Sequence, residues 1–188
     1  MNQTITHVIG FDDAPFLPSH RGDVPVIGAV FCGLRLDGVL QGRVRRDGRN
    51  ATPVIAGMVQ GSRFFPQLQC ILLQGIALAG FNVIDIHRLS DMTGLPVVTL
   101  TRHSPDLSAI RTALMTQVSG GKSKWRLIER AGPMEAVAGV YVQRVGLSLL
   151  DTERMISALA PNSLIPEPLR TAHLIAAGVS KLSSHKRV

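Results

Sequence analysis

The sequence predicts an α/β fold built on a mixed β-sheet, in which a three-strand antiparallel meander is followed by alternating helices and strands and then by C-terminal helices. Two patterns support this prediction. The first part of the chain holds three β-rich segments, and the next part alternates helical spacing of apolar residues with short continuous apolar runs. Such runs are typical of strands that are covered on both faces.

The segments of the meander are His7 to Phe11, Pro25 to Leu36 and Val39 to Arg46. The dipeptide Asp37-Gly38 predicts a tight hairpin turn between the second and the third segment. Alternation along the third segment places Arg43 and Arg45 on one face, opposite Val44. We therefore expect a basic face on this strand.

Helices and buried strands alternate in the middle of the chain. The predicted helices are Pro53 to Arg63, with Thr52 as N-cap, Asn82 to Met92 and Pro105 to Val118, and the predicted strands are Leu68 to Leu73 and Pro96 to Thr101. The glycine-rich segment Ser119 to Lys124 predicts a flexible connection to a C-terminal part. That part is expected to hold strands near Trp125 to Glu129 and Val140 to Arg144, and helices over Leu150 to Ala160 and Pro168 to Lys181.

Length and composition are those of one folded domain spanning residues 1–188, with 45% hydrophobic and 18% charged residues. The N-terminus lacks the regions of a secretory signal, and no stretch approaches the roughly 20 apolar residues that span a bilayer. We therefore expect a cytoplasmic protein without a membrane partner. Cys32 and Cys70 stand alone in apolar runs and are predicted to be reduced core residues.

The formal net charge of +7 favours nucleic acid as a partner, because clustered Lys and Arg side chains attract phosphate and release its counterions. The alternative is a solvated basic surface that binds nothing. Aromatic residues make up 4% of the chain, so stacking platforms for single strands are not evident. The predicted nucleic-acid contacts are Arg45, Arg46, Lys122, Lys124 and Arg170.

Four stretches carry recognisable motifs. They are VIGFDDAPF (Val8 to Phe16), LLQGIALAGFNVIDIHRLSDMTGLPVVTLTR (Leu72 to Arg102), VYVQRVGLSLLDTERMISAL (Val140 to Leu159) and IPEPLRTAHLIAAGVSK (Ile165 to Lys181). In this order they resemble endonuclease V. The Gly-x-Asp-Asp-x-Pro-Phe start and the Gly-Phe-Asn-Val-x-Asp block resemble still more closely a mostly archaeal family of unknown function related to endonuclease V, and the chain is identified as a member of that family.

The resemblance implies a ribonuclease H-like (endonuclease V-like) fold, whose element order agrees with the one predicted above. In nucleases of that fold, carboxylates converge on Mg²⁺ or Mn²⁺, which takes oxygen ligands, neutralises the phosphate and activates a water. Asp12 matches the aspartate of the first strand, and Asp47 stands roughly where endonuclease V supplies a glutamate. Asp13 would point to the opposite face of the strand, so it joins the site only if the chain bends there.

The C-terminal motif implies a site role for His173, and a weaker one for Glu167, with Arg170 reaching a phosphate. The implied metal ligands are thus Asp12, Asp47 and His173, and the implied catalytic set adds Asp13 and Glu167. Each has a structural alternative. Glu167 suits the start of a helix, His173 a hydrogen-bonded surface position, Asp12 and Asp13 a strand-to-turn junction, and Asp47 an Asp-Gly turn.

The chain departs from endonuclease V at the end of the strand after the first helix. Gln74 stands in place of an aspartate and Gly80 in place of a histidine. The amide oxygen of Gln74 can coordinate a cation but brings no charge, so the resemblance implies a weaker metal site. Asn82 and Asp85 lie at the edge of the expected site. Asn82 is predicted to be a helix N-cap, and Asp85 is open between a helix cap and a site residue.

Three functions therefore remain open. The first is a metal-dependent phosphodiesterase or nuclease, the second a non-catalytic nucleic-acid-binding protein with a degenerate metal site. The third is a binder of a small anionic or nucleotide ligand at helix N-termini around Asn82 and Pro168. Gln74 favours the second, whereas Asp12, Asp13, Glu167 and His173 together favour the first.

Overall fold

A computed structural model describes residues 5–184 of the chain, with side chains for residues 5–180. The strands are β1 (His7–Asp13), β2 (Asp23–Cys32), β3 (Arg35–Arg45), β4 (Cys70–Gln74), β5 (Ala77–Leu78), β6 (Asn82–Val83), β7 (Val97–Thr101), β8 (Glu135–Val137) and β9 (Val140–Val145). The helices are α1 (Ala51–Gln60), α2 (Ile86–Thr93), α3 (Leu107–Gln117), α4 (Gly121–Arg130), α5 (Leu149–Leu159) and α6 (Glu167–Ser184).

Seven strands form one mixed sheet in the order β3-β2-β1-β4-β7-β9-β8. The first three strands make the predicted antiparallel meander, and β4 pairs parallel with both β1 and β7. The carboxyl ends of β1, β4 and β7 therefore meet at one edge of the sheet. This confirms the predicted α/β fold with a mixed sheet, and it places the ends of the motif-bearing strands side by side.

The hairpin turn between β2 and β3 differs from the prediction. It lies at Gly33-Leu34, with Gly33 at a φ of 59°, and Asp37-Gly38 lies inside β3 beside a β-bulge. The carboxylate of Asp37 pairs with Arg35 over 2.7 Å, and Gly38 packs against the ring of Phe64, where an added Cβ would lie 2.3 Å from the ring. Tertiary packing thus uses the Asp-Gly pair within the strand.

Two helix starts also differ from the prediction. Helix α1 begins at Ala51, two residues before Pro53, and the Thr52 hydroxyl accepts a hydrogen bond from the backbone of Asp85. Helix α2 begins at Ile86, and its N-cap is Asp85, whose side chain accepts from the Arg88 backbone. The interpretation of Asn82 as an N-cap is wrong, because Asn82 lies in β6.

The glycine-rich segment near residue 120 forms a turn and the first residues of α4, and Trp125 to Glu129 belongs to α4 and not to a strand. Gly120 takes a φ of 69°, and Gly121 begins α4 with its Cα against the Leu114 carbonyl, where an added Cβ would lie 1.9 Å from the oxygen. The two glycines therefore permit a close turn between α3 and α4. Trp125 and Ile128 have helical spacing and pack toward the core.

The helices cover both faces of the sheet. Ile9, Phe11 and Leu73 belong to the core beneath α1 and α2, whereas Val8 and Leu72 pack with α5 and the start of α6. Because successive residues of a strand point to opposite faces, Asp12 and Gln74 lie on the α6 face. Within the described part of the chain, no helix has both the length and the apolar character needed to cross a membrane.

Candidate functional site

Helix α6 approaches β1 closely because β1 has a glycine at the crossing point. A Cβ added to Gly10 would lie 2.5 Å from the carbonyl carbon of Pro168 and 2.7 Å from the nitrogen of Leu169. Two residues further along β1, Asp12 points to the same face, and about one turn further along α6 comes His173. The close contact at Gly10 therefore brings the two most distant motifs of the sequence together.

Asp12 and His173 form a hydrogen-bonded pair. The distance from His173 Nδ1 to Asp12 Oδ2 is 2.8 Å, and Asp12 Oδ1 accepts a 2.9 Å hydrogen bond from the backbone of Asp13. Burial raises the pKa of the Asp12 carboxyl, and the hydrogen bond from His173 opposes this rise. Because a carboxylate accepts from Nδ1–H, the neutral imidazole presents the lone pair of Nε2 elsewhere, and the His173 side chain is 66% exposed.

Asp13 lies on the other face of the sheet. Strand β1 continues through Asp13, which pairs with Val26, so the chain does not bend between the two aspartates. Burial, followed by repulsion from Asp12, raises the pKa of Asp13 to about 6, and a hydrogen bond from the Ala79 backbone opposes this rise. Asp13 is therefore adjacent to the pair of Asp12 and His173 but does not face it.

Gln74 ends β4 level with Asp12. Phe11 of β1 pairs with Leu73 of β4, so the next residues, Asp12 and Gln74, end two neighbouring parallel strands on the same face. Gln74 is partly buried. It brings an uncharged amide to the position where the resemblance implies a carboxylate.

Asp47 stabilises the turn at residues 79–81 through hydrogen bonds and does not face the pair of Asp12 and His173. It has a φ of 51°, its Oδ1 accepts a 2.8 Å hydrogen bond from the backbone of Phe81, and its Oδ2 lies 3.1 Å from Nε of Arg46. Its backbone nitrogen donates to the Ala79 carbonyl. Gly80 leaves room for the carboxylate, since an added Cβ would lie 2.5 Å from Asp47 Oδ1.

Asn82 and Asp85 also have structural partners. Asn82 is fully buried, its Oδ1 accepts from the backbone of Ala51, and its Nδ2 donates to Asn50 and to the Arg45 carbonyl. Asp85 caps α2 and forms an ion pair with Arg130 over 3.2 Å. Asn82 thus fixes the loop between β3 and α1 through three hydrogen bonds.

Glu167 and Arg170 pair with each other at the start of α6. The guanidinium of Arg170 donates to both carboxylate oxygens of Glu167 over 2.7 to 3.0 Å. The adjacent Pro168 is buried against β1. The N-terminus of α6 is therefore occupied by the Glu167 carboxylate and packed against β1, and the N-terminus of α2 is capped by the Asp85 carboxylate. Neither helix start presents the anion site expected around Asn82 and Pro168.

The residues predicted to contact nucleic acid differ in how exposed their side chains are. Arg45 and Lys122 are exposed, and Arg45 has a loose 3.7 Å ion pair with Asp23. Arg46 is mostly buried against the Phe16 ring and donates to the carbonyl of His20.

Lys124 is a correction to the prediction. It is 2% exposed and donates to the backbone carbonyl of Asp47, and burial lowers the pKa of its ammonium group. A side chain fixed in the interior cannot contact a phosphate backbone.

The donor set suits a hard divalent cation that keeps part of its water shell. Asp12, Gln74 and His173 end on the same face of the same edge and offer one carboxylate, one amide oxygen and one imidazole. In the described residues, no three His, Cys, Asp or Glu side chains are grouped so that they could hold a metal ion by themselves. Mg²⁺ is commonly held by only one or two carboxylates together with substrate phosphates, so this set fits such an ion when substrate is present.

A cavity of about 210 Å³ lies at the same edge, on the opposite face of the sheet. It begins at Gly75, directly after Gln74, and includes Gly80 of the turn that Asp13 and Asp47 hold. Its polar members are Thr99, Thr101 and Gln143. None of the sequence predictions includes this cavity, although Thr99 and Gln143 are polar residues within the apolar strands VVTLT and VYVQRV, which is a signal for a polar site on that face.

The fold and the edge formed by Asp12, Gln74 and His173 define an endonuclease V-like protein with a ribonuclease H-like architecture. The chain belongs to the endonuclease dU family, whose sequence model matches residues 4–180. The UPF0215 proteins of Deinococcus radiodurans and Methanothermobacter thermautotrophicus are similar to it. The first is 54% identical over 180 residues, covering 96% of this chain and 92% of the relative, and the second is 46% identical over 177 residues, covering 92% and 87%.

Solved structures agree with this assignment. A protein of unknown function from Archaeoglobus fulgidus has a TM-score of 0.86 at 33% identity, covering 93% of this chain and 98% of its own. Endonuclease V of Bacillus subtilis has a TM-score of 0.64 at 11% identity, covering 97% and 84%. Endonuclease V of Ciona intestinalis, in complex with DNA containing an inosine, has a TM-score of 0.60 at 12% identity, covering 96% and 87%. The resemblance identified in the sequence is thereby confirmed.

Proposed function

We propose that this protein is a divalent-metal-dependent endonuclease that hydrolyses a phosphodiester bond beside a deaminated base in nucleic acid. The observation that supports it is the buried Asp12 carboxylate, hydrogen-bonded to an exposed His173 at the edge where β1 and β4 end. The family description refers to deoxyuridine, and the Ciona relative is bound to DNA with an inosine. DNA containing a single deoxyuridine is therefore the first substrate to test, and we place the activity in the cytoplasm.

Each side chain of the edge has a distinct role in this proposal. Asp12 and Gln74 supply oxygen donors for Mg²⁺ or Mn²⁺, which when bound neutralises the scissile phosphate and lowers the pKa of a water. His173, held through Nδ1 by Asp12, directs Nε2 toward solvent, where it accepts a proton from the attacking water or orients it. Among the described residues, no three His, Cys, Asp or Glu side chains are grouped at this edge, so a phosphate oxygen of the substrate would add to the donors that Asp12 and Gln74 supply.

The cavity on the other face of the edge supplies a place for the modified base. A volume of about 210 Å³ is below the roughly 300–1,000 Å³ of sites for drug-sized ligands, so it suits a single planar base. Enzymes that act on one base take it out of the stack and enclose it, at a cost that is lowest for a mismatched or single-stranded base. A base held beyond Gly75 would leave its phosphate at the edge beside Gln74 and Asp12.

Cleavage of labelled oligonucleotides tests this function. The substrates are single-stranded and duplex DNA with one deoxyuridine, one deoxyinosine or neither, with Mg²⁺, Mn²⁺ or a chelator. Metal-dependent cleavage near the modified base is expected, and undamaged DNA should remain intact. Absence of cleavage with either metal, in protein that binds the same DNA, would favour the second candidate function.

That second candidate is a non-catalytic nucleic-acid-binding protein with a degenerate metal site. The amide of Gln74 favours it, because β4 then adds no second negative charge beside Asp12. Both candidates require nucleic-acid binding, so binding alone does not separate them, whereas metal-dependent cleavage does.

Gln74→Asp is expected to tighten Mn²⁺ binding and to increase metal-dependent cleavage. A unit charge about 4 Å from a cation contributes about 4 kcal/mol at an effective dielectric near 20, before desolvation and repulsion from Asp12 are subtracted. Without metal, the same variant should melt at a lower temperature because two carboxylates then end adjacent strands. Calorimetry measures the first effect and thermal unfolding with a chelator the second. Unchanged or weaker Mn²⁺ affinity in the folded variant would mean that Gln74 does not face the site.

Arg45→Ala is expected to weaken DNA binding and to lower its salt dependence. Each phosphate contact on duplex DNA contributes about 0.9 log units of affinity per log unit of salt, so the slope should fall by about one contact. Arg35 is a matched control, since it is also an exposed, ion-paired arginine but lies at the opposite end of β3. Equal slopes for the protein and for Arg45→Ala would exclude this arginine from the nucleic-acid surface.

A further inference from the structure

Gln143 is a buried side chain whose orientation is fixed by the backbone. It lies in β9, is 4% exposed, and its Nε2 donates to the Gly132 carbonyl over 2.6 Å. A carbonyl oxygen only accepts, so the nitrogen of the amide must face Gly132 and the oxygen must face away from it. Among residues 5–180, no donor is bonded to Oε1, and Gln143 is part of the cavity wall beyond Gly75.

The rest of the cavity wall is mainly apolar, so the Gln143 oxygen differs from its surroundings in being a hydrogen-bond acceptor. The cavity is lined mainly by apolar groups, among them Ile76, Phe81, Val83, Ile110 and Met134. The Thr99 hydroxyl beside Gln143 accepts a 3.3 Å hydrogen bond from the Gln143 backbone. A hydrogen-bond acceptor in an apolar pocket is costly when unpaired, so a ligand that enters gains most if it supplies a donor.

We propose that the amide oxygen of Gln143 selects bases that carry a proton on the ring nitrogen of the pairing edge. This inference rests on the proposed function for the nature of the ligand. Uracil has N3–H and hypoxanthine has N1–H, whereas cytosine and adenine have a lone pair at the same ring position. Deamination thus converts an acceptor into a donor, and the fixed oxygen of Gln143 accepts from the donor and is left facing a lone pair in the unmodified base.

The test compares single-stranded oligonucleotides that differ in one base, either uracil, N3-methyluracil or cytosine. Competition binding with a chelator present prevents cleavage and separates recognition from chemistry. N3-methyluracil retains both carbonyl groups but carries a methyl group in place of the donor, whereas cytosine has a lone pair at N3 without added bulk, so the two competitors together separate loss of the donor from steric exclusion. We expect the protein to bind the uracil oligonucleotide about tenfold or more tightly than the other two, as for a buried hydrogen-bonding group left without its partner.

Gln143→Met keeps the length of the side chain and removes the acceptor, so it should reduce the preference for uracil over cytosine as well as over N3-methyluracil, whereas a purely steric preference would persist against N3-methyluracil alone. Gln41→Met, at an exposed glutamine of β3, is the matched control and should keep the preference. If Gln143 only supports Gly132, the Met variant will bind all three oligonucleotides less well by the same factor, and the inference fails. Equal binding of uracil and N3-methyluracil by the unaltered protein overturns it without any variant.

The result is independent of catalysis. Selective binding without cleavage would retain the role of Gln143 and remove the proposed nuclease function. Cleavage beside deoxyuridine without selective binding would retain the nuclease function and remove the role of Gln143.

Discussion

Asp12→Asn is expected to reduce metal-dependent cleavage of deoxyuridine DNA by roughly a hundredfold or more while leaving the fold intact. The change removes the carboxylate that is hydrogen-bonded to His173. An asparagine oxygen can still accept the hydrogen bond from Nδ1 of His173, and the neutral amide avoids the desolvation that raises the pKa of Asp12. Steady-state cleavage together with thermal unfolding measures both parts.

The matched control is Asp91→Asn, at an exposed position in α2, which should retain full activity. His173→Ala should have a smaller effect, about 10-fold to 100-fold, because its main role is to orient a water or the carboxylate. Activity of Asp12→Asn equal to that of the control would remove Asp12 from the catalytic site and with it the assignment of this edge.

The sequence could predict the sheet but not every turn within it. The apolar runs of β4 and β7 and the motif at the start of α6 are local patterns, and they lie where they were predicted. Asp37-Gly38 is an equally strong local signal, yet it lies inside β3, because the space beneath Phe64 requires a glycine there. A dipeptide such as Asp-Gly indicates that the backbone can adopt a turn conformation at that point. Tertiary packing decides whether the chain turns there.

The sequence could name Asp12 and His173 as candidates, but it could not show that they are in contact. Their 2.8 Å hydrogen bond joins residues 161 positions apart. It depends on the crossing of α6 over β1, which a single glycine permits. Conversely, Asp12 and Asp13 are adjacent in the sequence and lie on opposite faces, because β1 continues to pair with β2 through both residues.

Net charge does not show which cations face solvent. Lys124 counts toward the net charge but is buried, and Arg46 and Arg170 have internal partners. The composition does not distinguish a cationic side chain that faces solvent from one that donates a hydrogen bond to a backbone carbonyl inside the protein. Gln143 shows the converse case, because an uncharged residue within a strand is recognisable as a candidate only from the cavity beside it.

Gly10→Ala is expected to destabilise the protein by about 3 kcal/mol or more, because the added methyl group meets backbone atoms that cannot move aside. The Pro168 carbonyl carbon would lie 2.5 Å from the new Cβ, inside any normal contact. For a domain of this size, each kcal/mol corresponds to a fall of about 2–4 °C in the melting temperature, so a loss of roughly 6–12 °C is expected in a thermal scan.

Gly57→Ala is the control, because Gly57 lies on the exposed side of α1 and an added Cβ there meets nothing within 4 Å. Removing a glycine from a helix interior should stabilise the protein by about 0.5–1 kcal/mol. A melting temperature for Gly10→Ala as high as that of the unaltered protein would contradict the close crossing of α6 and β1. In folded Gly10→Ala protein, cleavage should fall more than stability alone explains, because displacing α6 separates His173 from Asp12.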